Sequence, residues 1–101
     1  MNIKDIVLLE EAAQDMLDGK AFYDTQTLGI GNYFWDSLIA DIESLHLYAG
    51  IHEQHFGLFR MLSKRFPYAI YYQVTDQIAY VIAILPIRRN PMWISKRLLD
   101  Q

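Results

Sequence analysis

Apolar positions follow different periods in the two halves of this chain. In the first half they recur every three or four residues; in the second they alternate or run together. Ile3 to Leu9 is a short apolar, partly β-branched run that suits either a first strand or the opening of the helix after it. From Glu10 to about Tyr23 the spacing predicts a helix. Leu9, Ala13, Met16, Leu17 and Ala21 fall on one face, and Glu11, Asp15 and Asp18 on the other. Gly19 weakens that helix by roughly 1 kcal/mol relative to alanine, which predicts an early or frayed end. Asp24, Thr25 and Thr27 supply capping or turn chemistry. Leu28 to about Tyr48 carries the clearest helical stripe: Phe34, Leu38, Ile42 and Leu45, widened by Trp35 and Ile39. Asp36, Ser37, Asp41 and Glu43 are assigned to its wet face. Gly50 is a natural helix stop, and 51–57 reads as a polar loop.

After Gly57 the period shortens. Leu58 to Leu62 predicts a strand with Arg60 between apolar neighbours. Pro67 marks a turn or a strand start. Tyr68 to Val74 is rich in aromatic and β-branched residues, and Thr75, Asp76 and Gln77 predict a hairpin turn. Ile78 to Leu85 is almost continuously apolar, the pattern of a strand central in its sheet, and Pro86 ends it. Met92 to Leu99 suits a short final helix with Pro91 at its start. The order predicts an α+β fold: a short N-terminal segment and two helices packed on an antiparallel sheet, then a short C-terminal helix. No linker or repeat divides the chain, so one domain spanning 1–101 is expected.

Composition narrows the class. Apolar residues make up 52% of the chain and charged residues 21%, a balance that favours a packed core over disorder. There is no cysteine, which excludes disulfides and thiolate metal sites. No run is long enough to span a membrane, and the N-terminus does not read as a signal peptide. The formal charge of −3 hides a division. Residues 1–55 hold Lys4 and Lys20 against ten acids, a balance of −8; residues 56–101 hold seven bases against Asp76 and Asp100, a balance of +5. Five of those bases, Arg60, Lys64, Arg65, Arg88 and Arg89, lie on or beside β-type segments, where they can meet phosphate or an acidic partner.

Each candidate also has a structural role to fill. Arg60 suits either a target or phosphate contact, or a strand residue on the wet face pairing with a helix acid. Lys64 and Arg65 fit a solvated turn, and Lys96 and Arg97 complement the dipole of a terminal helix. Arg88 and Arg89 follow Pro86 at a strand end. Trp93 follows them and stands to lie exposed beside them. Phe34, Trp35, Tyr71, Tyr72 and Tyr80 read as core. His46, His52 and His55 match no zinc spacing, so no metal site is expected, and no cofactor motif is present.

Three stretches together resemble the RelE/ParE superfamily of toxins from bacterial toxin–antitoxin pairs. They are KAFYDTQTLGIGNYFWDSLIADIESL, Arg60 followed by FPYAIYYQV, and the apolar strand ending in IRRNPMW. The resemblance implies a cytoplasmic protein, the toxin component of a type II, plasmid-stabilisation kind of pair, a cause of growth inhibition neutralised by a cognate antitoxin. Members either cut mRNA on the ribosome or block DNA gyrase. The nuclease set would be drawn here from Arg60, Lys64, Arg65 and Arg88. The resemblance places the family's phosphate-holding arginine at Ala69 and its terminal-helix tyrosine near Ile94, and neither residue can do that work. The incomplete set favours a ParE-like inhibitor of a protein target such as gyrase, with Arg60, Arg88, Arg89 and Trp93 as target contacts. Two alternatives stand beside it: a ribosome-dependent endoribonuclease, and a degenerate toxin that only binds its antitoxin.

Overall fold

The computed structural model describes residues 2–100. The elements run β1 (Asp5–Leu8), α1 (Glu10–Gln26), α2 (Ile30–Glu43), α3 (Leu45–Tyr48), β2 (Gln54–His55), β3 (Leu58–Leu62), β4 (Tyr68–Thr75), β5 (Ile78–Pro86) and α4 (Pro91–Leu99). The α+β class expected from the sequence is the one observed. The sheet order is β1-β5-β4-β3-β2. The open first segment is a strand. It joins β5 in parallel, whereas β2 to β5 are antiparallel, so the sheet is mixed rather than wholly antiparallel. A parallel pair needs a long connection, and the chain from α1 to β4 supplies it. β5 has a neighbour on each side, which accounts for its unbroken apolar run.

The β4–β5 hairpin turns through Asp76 (φ 52°) and Gln77 (φ 66°), both left-handed, as the twist of a two-residue hairpin requires. A second hairpin lies where the sequence suggested only a polar loop. β2 pairs with β3 through a turn at Phe56 and Gly57. At two residues, β2 is too short to show alternation.

α1, α2 and α3 pack on one face of the sheet. Phe34, Leu38, Ile42 and Leu45 are all buried there, as their spacing predicts. α1 is rotated from expectation. Ala12, Met16 and Gly19 face the core, whereas Leu17 is 50% exposed and Ala21 is in solvent. The cause is Gly19. Its missing side chain lets α1 cross α2 so closely that a Cβ there would lie 2.5 Å from Phe34 Cζ. Tertiary packing therefore carries the helix on to Gln26 rather than letting it fray. Leu28 lies between the helices, almost wholly exposed. Asp24 caps from a distance: it lies inside α1, but its carboxylate accepts the Gly31 N–H of α2 at 3.0 Å and pairs with Lys20 at 3.0 Å.

The second helix is also shorter than its stripe suggested. Ser44 donates its hydroxyl back to the Asp41 carbonyl at 2.6 Å, and α3 restarts beyond it. Gly50, at φ 95°, follows α3 as expected. Ser37 and Asp41 are buried rather than wet. Asp41 accepts from the Ser63 hydroxyl at 2.7 Å and the Lys64 N–H at 3.3 Å, and so ties α2 to the β3–β4 connection.

The opposite face of the sheet carries a smaller cluster of Ala69, Tyr71, Ala83 and Leu85, closed by Leu98 and Ile94 of α4. Asp15 joins the two sides. Its carboxylate accepts the Ile84 N–H at 2.9 Å and two N–H groups of Arg97 at 2.7 and 2.8 Å. This too corrects the sequence reading, which left Asp15 on the wet face and gave Arg97 to the helix dipole.

Two expectations follow. Gly19→Ala drives a methyl into the Phe34 ring. Overpacking costs about 1–3 kcal/mol, and the gain in helix propensity, about 1 kcal/mol, offsets only part of it. Urea denaturation reads the loss, and an unchanged or raised midpoint would overturn the close-crossing account. Asp15→Ala orphans the Ile84 N–H, costing about 1–3 kcal/mol beyond the lost ion pair. Asp15→Asn keeps an acceptor oxygen and is the milder change. Equal losses in the two variants would mean that the N–H bond contributes nothing.

Candidate functional site

The start of β4 and the end of β5 meet beside α1, and there the surface opens into a cleft of about 500 Å³. Asp15, Asp18, Gly19, Phe22 and Tyr23 of α1 form one wall. Tyr68, Ile84 and Leu85 form the floor, and Arg88, Arg89 and Trp93 the far rim. The local sequence explains the placement. Pro86 ends β5, and the chain turns through Ile87–Arg89 before Asn90 caps α4, its side chain accepting the Met92 N–H at 2.8 Å. Pro91 then occupies the first helical turn. The turn and the cap together set Trp93 beside the two arginines.

The Arg89 guanidinium lies 3.9 Å from the centre of the Trp93 ring, which is 38% exposed. Among the described residues, Arg88 and Arg89 make no ion pair. Behind them stands an aromatic cluster. Phe34 lies 4.9 to 5.1 Å from the rings of Tyr23, Phe66 and Tyr68. Burial pushes the Tyr68 phenol up to about 12, and it raises that of Tyr23, against which Arg88 pulls down. Both hydroxyls therefore stay protonated. Burial is also the largest influence on Asp15, raising its carboxyl above the ordinary value despite Arg97 and the Ile84 N–H. Arg97 is held more firmly protonated by that same contact.

The basic residues singled out in the sequence divide between sites. Arg88, Arg89 and Trp93 converge on the cleft. Arg60 does not. It stands opposite Tyr71 in the β3–β4 pair and so shares the α4 face of the sheet, half-buried. Lys64 and Arg65 are exposed in the β3–β4 connection, and Lys64 borders a different depression with Asp41, Tyr48, Ile51, His52 and Leu62. Ala69 is fully buried, and it shares one apolar cluster with Ile94. The sequence reading missed the α1 wall of the cleft. Its signal was present, since Asp15, Asp18 and Phe22 fall three or four residues apart on one helix face. The three histidines stay apart: His46 contacts the Ile3 carbonyl, His52 the Tyr72 hydroxyl, and His55 lies 3.7 Å from Glu53.

No family model matches the chain, and no curated protein matches it. Among solved structures, a chain of the "Chromosomal ParDE TA system from P. aeruginosa" matches with a TM-score of 0.71 and 13% identity, over 79% of this chain and 91% of that one. The two chains share a fold. At this identity the likeness speaks of architecture alone. No helix among the described residues is long and apolar enough to cross a membrane.

His52 generates an expectation about pH. Tyr72 oxygen accepts the Gly50 N–H at 2.9 Å, so its own proton is best donated to His52 Nδ1. That bond needs the neutral imidazole. Burial lowers the His52 value below the ordinary 6.5. The unfolded chain then takes up the proton first, so the contribution to stability is full above 6.5 and is lost as pH falls below it. Thermal melts at neutral and mildly acidic pH should show a larger acid loss for the native chain than for His52→Asn. Identical acid losses would remove His52 from the account.

Proposed function

We propose that this chain is the toxin member of a toxin–antitoxin pair, neutralised by a cognate antitoxin protein, and that it inhibits a protein target rather than cutting mRNA. The observation that carries the reading is the fold shared with a chain of the ParDE system across 79% of this protein. The sequence resemblance across the helical pair, the arginine strand and the IRRNPMW end supports it independently.

The choice of mechanism rests on Ala69 and Ile94. In-line attack by a ribose hydroxyl needs cations at the phosphate and a proton donor at the leaving oxygen. The two positions where the resemblance puts such groups lie together in the apolar cluster between the sheet and α4. Removing one electrostatic stabiliser commonly costs about 10²–10³ in rate. Arg60, Lys64 and Arg88 also border different surfaces, which does not favour one concerted phosphate site. The cleft with Arg88, Arg89 and Trp93 is the target-binding surface in this reading, and the resemblance makes DNA gyrase the first target to test.

Expression of the chain alone should slow growth, and co-expression of the adjacent gene should restore it. Arrest should come with blocked DNA replication and induction of the DNA-damage response. Primer extension on mRNA from arrested cells should show no cuts at the ribosomal A site. Cuts that vanish with Arg88→Ala would install the nuclease reading. Normal growth at high soluble expression would leave only an antitoxin-binding module.

A further inference from the structure

The cleft is polarised across its width. Asp18 on the α1 wall is exposed, and its carboxylate accepts from the Gln14 side-chain amide at 2.9 Å. Opposite stand Arg88 and Arg89, without ion pairs among the described residues. Between them lie the Tyr23 and Tyr68 hydroxyls, and neither has a hydrogen-bond partner among the described residues. No buried side-chain polar atom in that set lacks a partner, so neither hydroxyl is fully buried, and both tyrosines line the cleft. Phe22 and Trp93, each partly exposed, supply apolar surface on the two sides. A volume of about 500 Å³ accommodates one large side chain and its neighbours.

We infer that this cleft binds a protein segment of mixed charge, with an aromatic anchor between Phe22 and Trp93, a carboxylate on Arg88 and Arg89, and a basic or N–H-rich end against Asp18. The inference deepens the target-binding reading above and rests on its protein-binding part. Charge decides the class of occupant. A single carboxylate meets two guanidiniums that carry no ion pair among the described residues, one of them stacked on Trp93, beside two phenol donors, a strong charge-assisted set. A nucleic-acid strand would bring a phosphate at every nucleotide, and those beyond the first would run past Asp18. The acidic wall therefore selects against a polyanion while leaving room for one acid.

The test uses the full chain and a short peptide carrying one phenylalanine, a glutamate beside it and a lysine on the other side. Controls are a peptide with both charges reversed in position, single-stranded RNA of similar length, and inorganic phosphate. Binding is read from the Trp93 indole N–H signal in NMR titrations. The first peptide should shift that signal and bind at least about tenfold more tightly than the reversed one. Arg88→Ala and Arg89→Ala should each weaken it about tenfold, Tyr23→Phe should weaken it less, and Lys96→Ala, outside the cleft, should leave it unchanged. No shift of Trp93 with the peptide overturns the inference. So does RNA or phosphate binding that exceeds the peptide and is lost with Arg88→Ala. Growth assays keep the two readings apart. A chain that arrests growth but ignores the peptide sinks the cleft inference alone; one that binds the peptide and leaves growth untouched sinks the toxin reading alone.

Discussion

Asp15 ties together three elements of this molecule, α1, β5 and α4. β1 pairs with β5 only as far as Val81, so beyond that point the β5 backbone has an open edge. The Ile84 N–H on that edge would be an unmade bond beside the core, and Asp15 of α1 accepts it. The same carboxylate takes both terminal nitrogens of Arg97 from α4, which lies across the other face of the sheet. A partly buried carboxylate is costly, and its raised proton affinity expresses that cost. The bidentate guanidinium and the backbone N–H offset it. The fold gains a covered sheet edge and a seated terminal helix.

That arrangement also makes the cleft. α1 can lie close along the end of the sheet because Gly19 admits the Phe34 ring. Phe34, Tyr23, Phe66 and Tyr68 then form a rigid aromatic block at this end of the core. α4 begins where Asn90 caps it, and its seat on Leu98 and Arg97 places Trp93 and the two arginines opposite α1. The cleft is thus a by-product of two packing constraints, and its walls carry opposite charge because they come from opposite halves of the chain.

The other basic residues show why charge clusters in a sequence do not define a site. Arg60, Lys64 and Arg88 belong to one half, but strand pairing sends them to different places. Arg60 faces α4 because it stands opposite Tyr71, whereas Lys64 lies past the end of β3 beside Asp41. A strand's period of two settles which face a side chain takes only once its partner and register are known.

Local periodicity by itself determined the α+β order, the buried stripe of α2, the β3, β4 and β5 strands, the β4–β5 turn and the start of α4. Each of these is decided by spacing within a few residues of chain, and each is seen in the structure. The exposed place of Trp93 beside Arg89 was legible for the same reason, since a strand end, a turn and a cap adjoin it in sequence. Only the tertiary structure decided the rotation of α1, the burial of Asp41 and Ser37, the parallel docking of β1, the two-residue β2 and the acidic, aromatic wall of the cleft. Most of these depend on contacts between elements distant in sequence, such as Asp41 with Ser63, Asp15 with Arg97 and Gly19 with Phe34, while β2 is too short to carry a pattern of its own. A polar residue on an amphipathic helix is assigned to solvent by default. Whether it instead meets a distant N–H or guanidinium is settled by which elements pack together, and hydrophobic spacing carries no record of that.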